Sequence, residues 1–92
     1  MNLSDTAVIC DGVMAREVGG ELVILDLRSS TYFGLDAVGA RIWQLLAQGL
    51  ALNEIAERMS QEFEISSADV QRDILALVES LAANGLIALA SS

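Results

Sequence analysis

From Val13 to Leu35 apolar residues tend to alternate with polar ones, and from Asp36 onward they recur at helical spacing. The first region reads as strands. Val13 to Val18 forms one, and the Gly19-Gly20 pair after it is a strong two-residue hairpin signal because both positions tolerate positive φ. A second strand, Glu21 to Arg28, puts Val23, Leu25 and Leu27 on one face and Leu22, Ile24, Asp26 and Arg28 on the other. The uncharged face is the expected core face. Ser29-Ser30 reads as a weaker turn, and Thr31 to Leu35 returns as a third strand. With a two-residue turn, Tyr32 falls opposite Leu27 on that core face and Phe33 shares the mixed face with Asp26; a longer turn exchanges them. Upstream, Ala7 to Cys10 has the make-up of a short strand inside a loose lead-in.

Three helices follow. Asp36 is placed to cap the first, in which Val38, Ile42 and Leu45 form a stripe flanked by Trp43 and Leu46, and Gly49 supplies the stop. The second, roughly Leu52 to Glu62, repeats Leu52, Ile55, Ala56, Met59 and then Phe63 on one face, with Glu54 and Arg58 spaced for an exposed ion pair. Ser66 and Asp69 give a variant capping box for the third, which runs to about Asn84 before Gly85 ends it. Its main stripe is Val70, Ile74, Leu77 and Leu81. Leu75, Val78 and Ala82 add a second apolar flank, wider than a helix resting on one layer needs. Leu86 to Leu89 closes the chain as a short apolar tail, a strand or a strap over the core. The order predicts an α+β domain spanning residues 1–92: a three-stranded antiparallel meander followed by three helices, in the outline of a winged helix-turn-helix.

That outline suggests DNA binding, and the charges argue against it. The chain carries five arginines and thirteen acids, a formal net charge of -8, and the candidate recognition helix holds Asp69, Asp73 and Glu79 against Arg72 alone. Such a field repels nucleic acid and anionic lipid. With no histidine and a single cysteine, Cys10, there is no internal disulfide, no ordinary zinc site and no His-based catalytic pair. Cys10 reads as a small apolar filler. No apolar run approaches a membrane span and no signal peptide is evident, so a soluble cytoplasmic protein is expected, without cofactor or metal. The acids fall at capping or solvent-facing spacings rather than as a catalytic pair, and Gly34-x-x-x-x-Gly39 lacks the lysine of a phosphate loop.

What remains is an edge. The segment Ser30 to Leu35 is β-prone and carries no Lys, Pro or inward charge to protect it, unlike most edge strands. Its backbone is suited to accept an extended peptide as an added strand, with the spare flank of the third helix supplying side-chain pockets. The competing reading is an edge covered by the chain's own tail or by a second copy.

The run "LVILDLRSSTYFGLDAVGARIWQLL", residues 22–46, resembles the PqqD-like family, the peptide recognition elements of pathways that make ribosomally synthesised, modified peptides. The resemblance rests on Asp26-Leu27, the Tyr32-Phe33-x-Leu35 segment, Asp36, Gly39 and Ile42-Trp43. "EIAERMSQEFEISSADVQRDILALVESLAANGLI" extends it, including Asp73 and the Asn84-Gly85-Leu86-Ile87 ending. Ser29-Ser30 departs from the glycine common at this turn. The wording is closer to lasso-peptide members than to the quinone-cofactor member. The resemblance implies a winged helix-turn-helix whose third meander strand pairs with the leader segment of a precursor peptide, the leader lying between that strand and the third helix. It implies strand contacts at Ser30, Thr31, Tyr32, Phe33, Gly34 and Leu35, made mainly by backbone, and helix contacts at Asp69, Arg72, Asp73, Ile74, Leu75 and Val78. Asp73 is open to either a structural bond near the sheet or a leader cation, and Ile74 leans toward the core. The implied partners are a leader with a Tyr-x-x-Pro motif and a separate transglutaminase-like cysteine protease, followed in the pathway by an ATP-dependent cyclase. The alternatives are a pyrroloquinoline-quinone-type peptide chaperone and a winged-helix DNA-binding regulator.

Overall fold

The computed structural model describes residues 2–90. Its elements are β1 (Thr6–Ile9), β2 (Val13–Val18), β3 (Glu21–Asp26), β4 (Thr31–Leu35), α1 (Ala37–Ala47), α2 (Leu52–Phe63), α3 (Ser67–Ala83) and β5 (Ile87–Ala90). β2, β3 and β4 form the antiparallel meander in sequence order, and β1 pairs with β5 in a separate two-stranded sheet. The apolar tail is thus a strand, and its partner is the N-terminal segment.

Local chemistry accounts for most boundaries. Gly19 and Gly20 take φ of 60° and 85°, closing β2 onto β3 with Val18 opposite Glu21, the two-residue turn whose twist suits a hairpin. Asp36 caps α1 by accepting from the Gly39 N–H at 2.9 Å, and Ser66 caps α3 by accepting from Asp69 at 3.3 Å. The start of α2 lacks such a side chain. There the Leu3 and Asp5 carbonyls accept from Asn53 and Leu52 at 2.8 and 3.0 Å, and Glu54 accepts from the Ala51 N–H at 3.0 Å. Arg41 ties α1 to Glu62 of α2 at 3.0 Å, and Gln44 donates to Glu17 of β2 at 2.8 Å.

One apolar core lies between the meander and the helices. Ile24, Leu45, Leu46, Leu52, Ile55, Met59, Ile74, Val78 and Leu86 are its most deeply buried members. Two details correct the expected sheet. The loop between β3 and β4 has four residues, 27–30, with Asp26 opposite Thr31 and Leu25 opposite Tyr32. The core face of β3 is the one bearing Leu22, Ile24 and Asp26, all buried, whereas Leu27 is exposed. Accordingly Phe33 packs against the core and Tyr32, 75% exposed, points away from it.

Asp26 made that face look unfit for burial, and Arg28 removes the objection. Asp26 is 6% exposed, yet its carboxylate accepts from the Arg28 backbone N–H at 3.0 Å, from Nε at 2.9 Å and from Nη2 at 3.2 Å. A buried carboxylate with that many donors carries little desolvation penalty relative to an unpaired one. The Arg28 hydrogen bonds hold the Asp26 carboxyl below the usual carboxylate range, against the opposing effect of burial.

Candidate functional site

Backbone groups along a strand alternate in direction. The Leu27 N–H donates to the Gly12 carbonyl at 2.8 Å, continuing the β2–β3 ladder in which Val18 opposes Glu21 across the turn. The odd-numbered residues of β3 therefore face β2, and Leu22, Ile24 and Asp26 face β4. Their partners Leu35, Phe33 and Thr31 use their N–H and C=O groups on β3. Tyr32 and Gly34 direct theirs outward. Among the described residues β4 has β3 as its one sheet partner, and β5 lies in the other sheet with β1, so residues 87–90 do not seal the outward row.

Beside this edge lies a cleft of about 450 Å³, lined by Gly34, Leu35, Asp36, Val38, Gly39, Ile42, Ile65, Asp73 and Leu77. β4, α1 and α3 each contribute. Its walls are mainly apolar, with the acids Asp36 and Asp73 at hand. Gly39 permits the close approach of α1 to β4: a Cβ there would stand 3.3 Å from that of Leu35. Asp36 is turned toward the α1 N-terminus by its capping bond, whereas Asp73 is exposed on the flank of α3. That orientation suits a neutral or cationic occupant.

The structure brings together some of the expected residues and separates others. Thr31, Tyr32, Phe33, Gly34 and Leu35 form β4 itself, and Ser30 precedes it with φ of 58°. Asp73 lines the cleft. Asp69 and Arg72 are exposed and pair with each other at 3.3 Å. Ile74 and Val78 are wholly buried, so these side chains belong to the core rather than to the cleft wall. Leu75, partly buried against the core, sits two residues from both Asp73 and Leu77. At about 100° per residue that places it across the helix from the cleft-lining flank. Leu77, Ile65, Val38 and Ile42 line the cleft; periodicity assigned Leu77, Val38 and Ile42 to core stripes, and Ile65 falls between the second and third helices. The i, i+4 spacing of Asp73 and Leu77 was the available signal.

The remaining surface is informative too. Met14, Leu25 and Tyr32 stand in one cross-strand row on the outer face of the meander, with Val18 and Leu27 on the same face. Met14, Val18, Leu27 and Tyr32 are each more than half exposed. Among the described residues no group of three His, Cys, Asp or Glu side chains is placed to hold a metal ion, and no helix is long and apolar enough to cross a membrane.

The fold and cleft together define a class: a small α+β module with a vacant antiparallel edge beside an apolar cleft, the arrangement used by proteins that bind a peptide by strand addition. Residues 21–87 match the family described as Coenzyme PQQ synthesis protein D (PqqD), and the chain belongs to that family. Two solved structures are similar to it. "TbiB1 in Complex with the TbiA(beta) Leader Peptide" is 39% identical with a TM-score of 0.80, over 86% of this chain and 92% of that one. "Lasso peptide synthetase B1 complexed with the leader peptide" is 32% identical with a TM-score of 0.83, over 89% of this chain and 96% of that one. No curated protein matches the chain.

Proposed function

We propose that this chain is a non-catalytic adaptor that binds the leader segment of a precursor peptide, in the biosynthesis of a ribosomally made, modified peptide of the lasso type. The leader adds as a strand along β4, bonded to the outward N–H and C=O groups of Tyr32 and Gly34. Side chains of a strand alternate between faces, so every second leader residue enters the cleft between β4 and α3. The carrying observation is the vacant β4 edge beside that cleft, in a chain similar along most of its length to two proteins each bound to a leader peptide. Main-chain bonds supply affinity without reading sequence, and the cleft supplies selectivity.

In this reading the architecture is a winged helix-turn-helix turned from DNA to peptide, with an acidic third helix in place of a basic one. The leader carries a Tyr-x-x-Pro motif, whose aromatic and proline side chains suit a cleft walled by Leu35, Val38, Ile42, Ile65 and Leu77. The adaptor works in the cytoplasm and presents the precursor to a separate transglutaminase-like cysteine protease. The exposed apolar face of the meander is of the kind that meets a protein partner. A second reading, a peptide chaperone in the making of pyrroloquinoline quinone, is favoured by the family description and uses the same edge.

Calorimetric titration with a synthetic leader tests the proposal. Replacing the leader's Tyr or Pro by Ala removes one buried anchor, expected to weaken binding by about 2 kcal/mol, roughly thirtyfold. Equal affinity for all three peptides would reject the cleft as the reading site.

A further inference from the structure

Arg28 lies in the loop that leads into β4, and Gly85 follows α3, so the two stand at adjoining ends of elements that wall the cleft. One guanidinium joins them. Its Nε donates to Asp26 Oδ1 at 2.9 Å, and its Nη2 donates both to Asp26 Oδ2 at 3.2 Å and to the Gly85 carbonyl at 2.7 Å. The anchor is firm because Asp26 is buried at the end of β3. The other acceptor lies just past the C-terminus of α3, where unsatisfied helix carbonyls concentrate negative potential and favour a cation. The stem of Arg28 lies against Gly12, where an added Cβ would come within 3.0 Å of its Cγ. Bonds from Leu27 to Gly12 at 2.8 Å and from Cys10 to Leu86 at 3.0 Å draw the same loops together.

Among the described residues, β4 pairs with a strand on one side only. Its distance from α3 is therefore set by packing on α1 and by whatever ties its loop to the helix end. We propose that Arg28 is a positioning residue that clasps the entry of β4 to the end of α3 and so holds the peptide-docking cleft at the width a bound strand requires. The proposal rests on the strand-addition reading above for its functional consequence. Its structural part stands without it. Three acceptors are served by one planar fork, which the single ammonium of lysine cannot reproduce.

Arg28→Lys and Arg28→Gln, followed by amide hydrogen exchange of the free protein, separate a clasp from a general stabiliser. The Thr31, Phe33 and Leu35 amides face β3 and report opening of β4; buried α2 amides such as those of Ile55 and Met59 report global unfolding. A clasp predicts exchange in β4 faster by on the order of tenfold, the loss of one charge-assisted bond, beyond any change in α2. Equal acceleration in both elements, or none in β4, overturns the proposal. If Arg28→Lys does not fold, Arg28→Gln, whose amide still donates to one acceptor, gives the same comparison. Titration with a synthetic Tyr-x-x-Pro leader adds the functional arm, with dissociation expected to accelerate about tenfold in the variants. Wild-type protein that does not bind this peptide counts against the proposed function, whereas wild-type binding with unchanged variant kinetics counts against the clasp.

Discussion

Gly34→Pro isolates the vacant edge from everything else the fold depends on. The Gly34 N–H points away from β3, so proline there removes no ladder bond, and the ring suits the extended backbone of an edge strand. Nothing lies within 4 Å of a Cβ built at this position, so Gly34→Ala is a clean steric control. The variant should therefore unfold in urea within about 1 kcal/mol of wild type. Binding should respond differently. A docked strand loses one donor and leaves a carbonyl unsatisfied beside an apolar cleft, which costs about 1–3 kcal/mol, or roughly 5- to 150-fold in Kd. Fluorescence anisotropy of a labelled leader, titrated with each variant, measures the effect. Gly34→Ala should bind like wild type, and Thr31→Pro, whose N–H faces β3, should instead lower the urea midpoint. Wild-type affinity in Gly34→Pro together with an unchanged midpoint would refute strand addition on this edge.

Further outcomes can be checked with the same preparations. Leu77→Ala, which enlarges the α3 wall of the cleft, should weaken leader binding about tenfold, and a double-mutant cycle with the leader's Tyr or Pro should show non-additivity that locates the contact. Ile74→Ala removes a wholly buried side chain and should cost about 2–5 kcal/mol in chemical denaturation, with leader affinity of the folded fraction little changed. Arg28 lowers the Asp26 pKa from 3.8, and Arg41 likewise lowers that of Glu62 from 4.5. A lowered carboxyl pKa stabilises the fold above its unfolded value, and that contribution is lost as pH falls through the folded value. Thermal melting should therefore show stability falling below about pH 4, with a shallower acid limb in Asp26→Asn; parallel limbs in both proteins would contradict the pairing.

Much of the architecture was legible because its causes are local. The Gly-Gly hairpin, the Asp36 and Ser66 caps, the three helices and the third meander strand from Thr31 to Leu35 each follow from a few neighbouring residues, and each falls where the pattern put it. Periodicity also assigned residues to faces correctly: Leu22, Ile24 and Asp26 do share one side of β3. It could not decide which side meets the helices. Counting charges favoured the side of Val23, Leu25 and Leu27, since an unpaired carboxylate is costly to bury. The fold buries Asp26 because Arg28, two residues on, reaches back to satisfy it and then extends to Gly85, far away in the chain. That single reversal also turned Tyr32 outward and Phe33 inward.

The cleft had the same history. A stripe on α3 is a property of the sequence, but whether its margin is core or surface depends on where neighbouring elements end. Ile74 and Val78 meet the core from all sides, while Leu77 reaches the gap that β4 leaves open, and Leu75 turns to the opposite flank. The pairing of β1 with β5 brings together residues near opposite ends of the chain, a contact that no local pattern encodes. The sequence by itself thus determined the meander, the three helices and which edge lacks protection, since these arise from short-range sterics, hydrogen bonding and side-chain alternation. Only the tertiary structure decided which faces are buried and which residues line the cleft, because burial is set by the distant segments packed against each face.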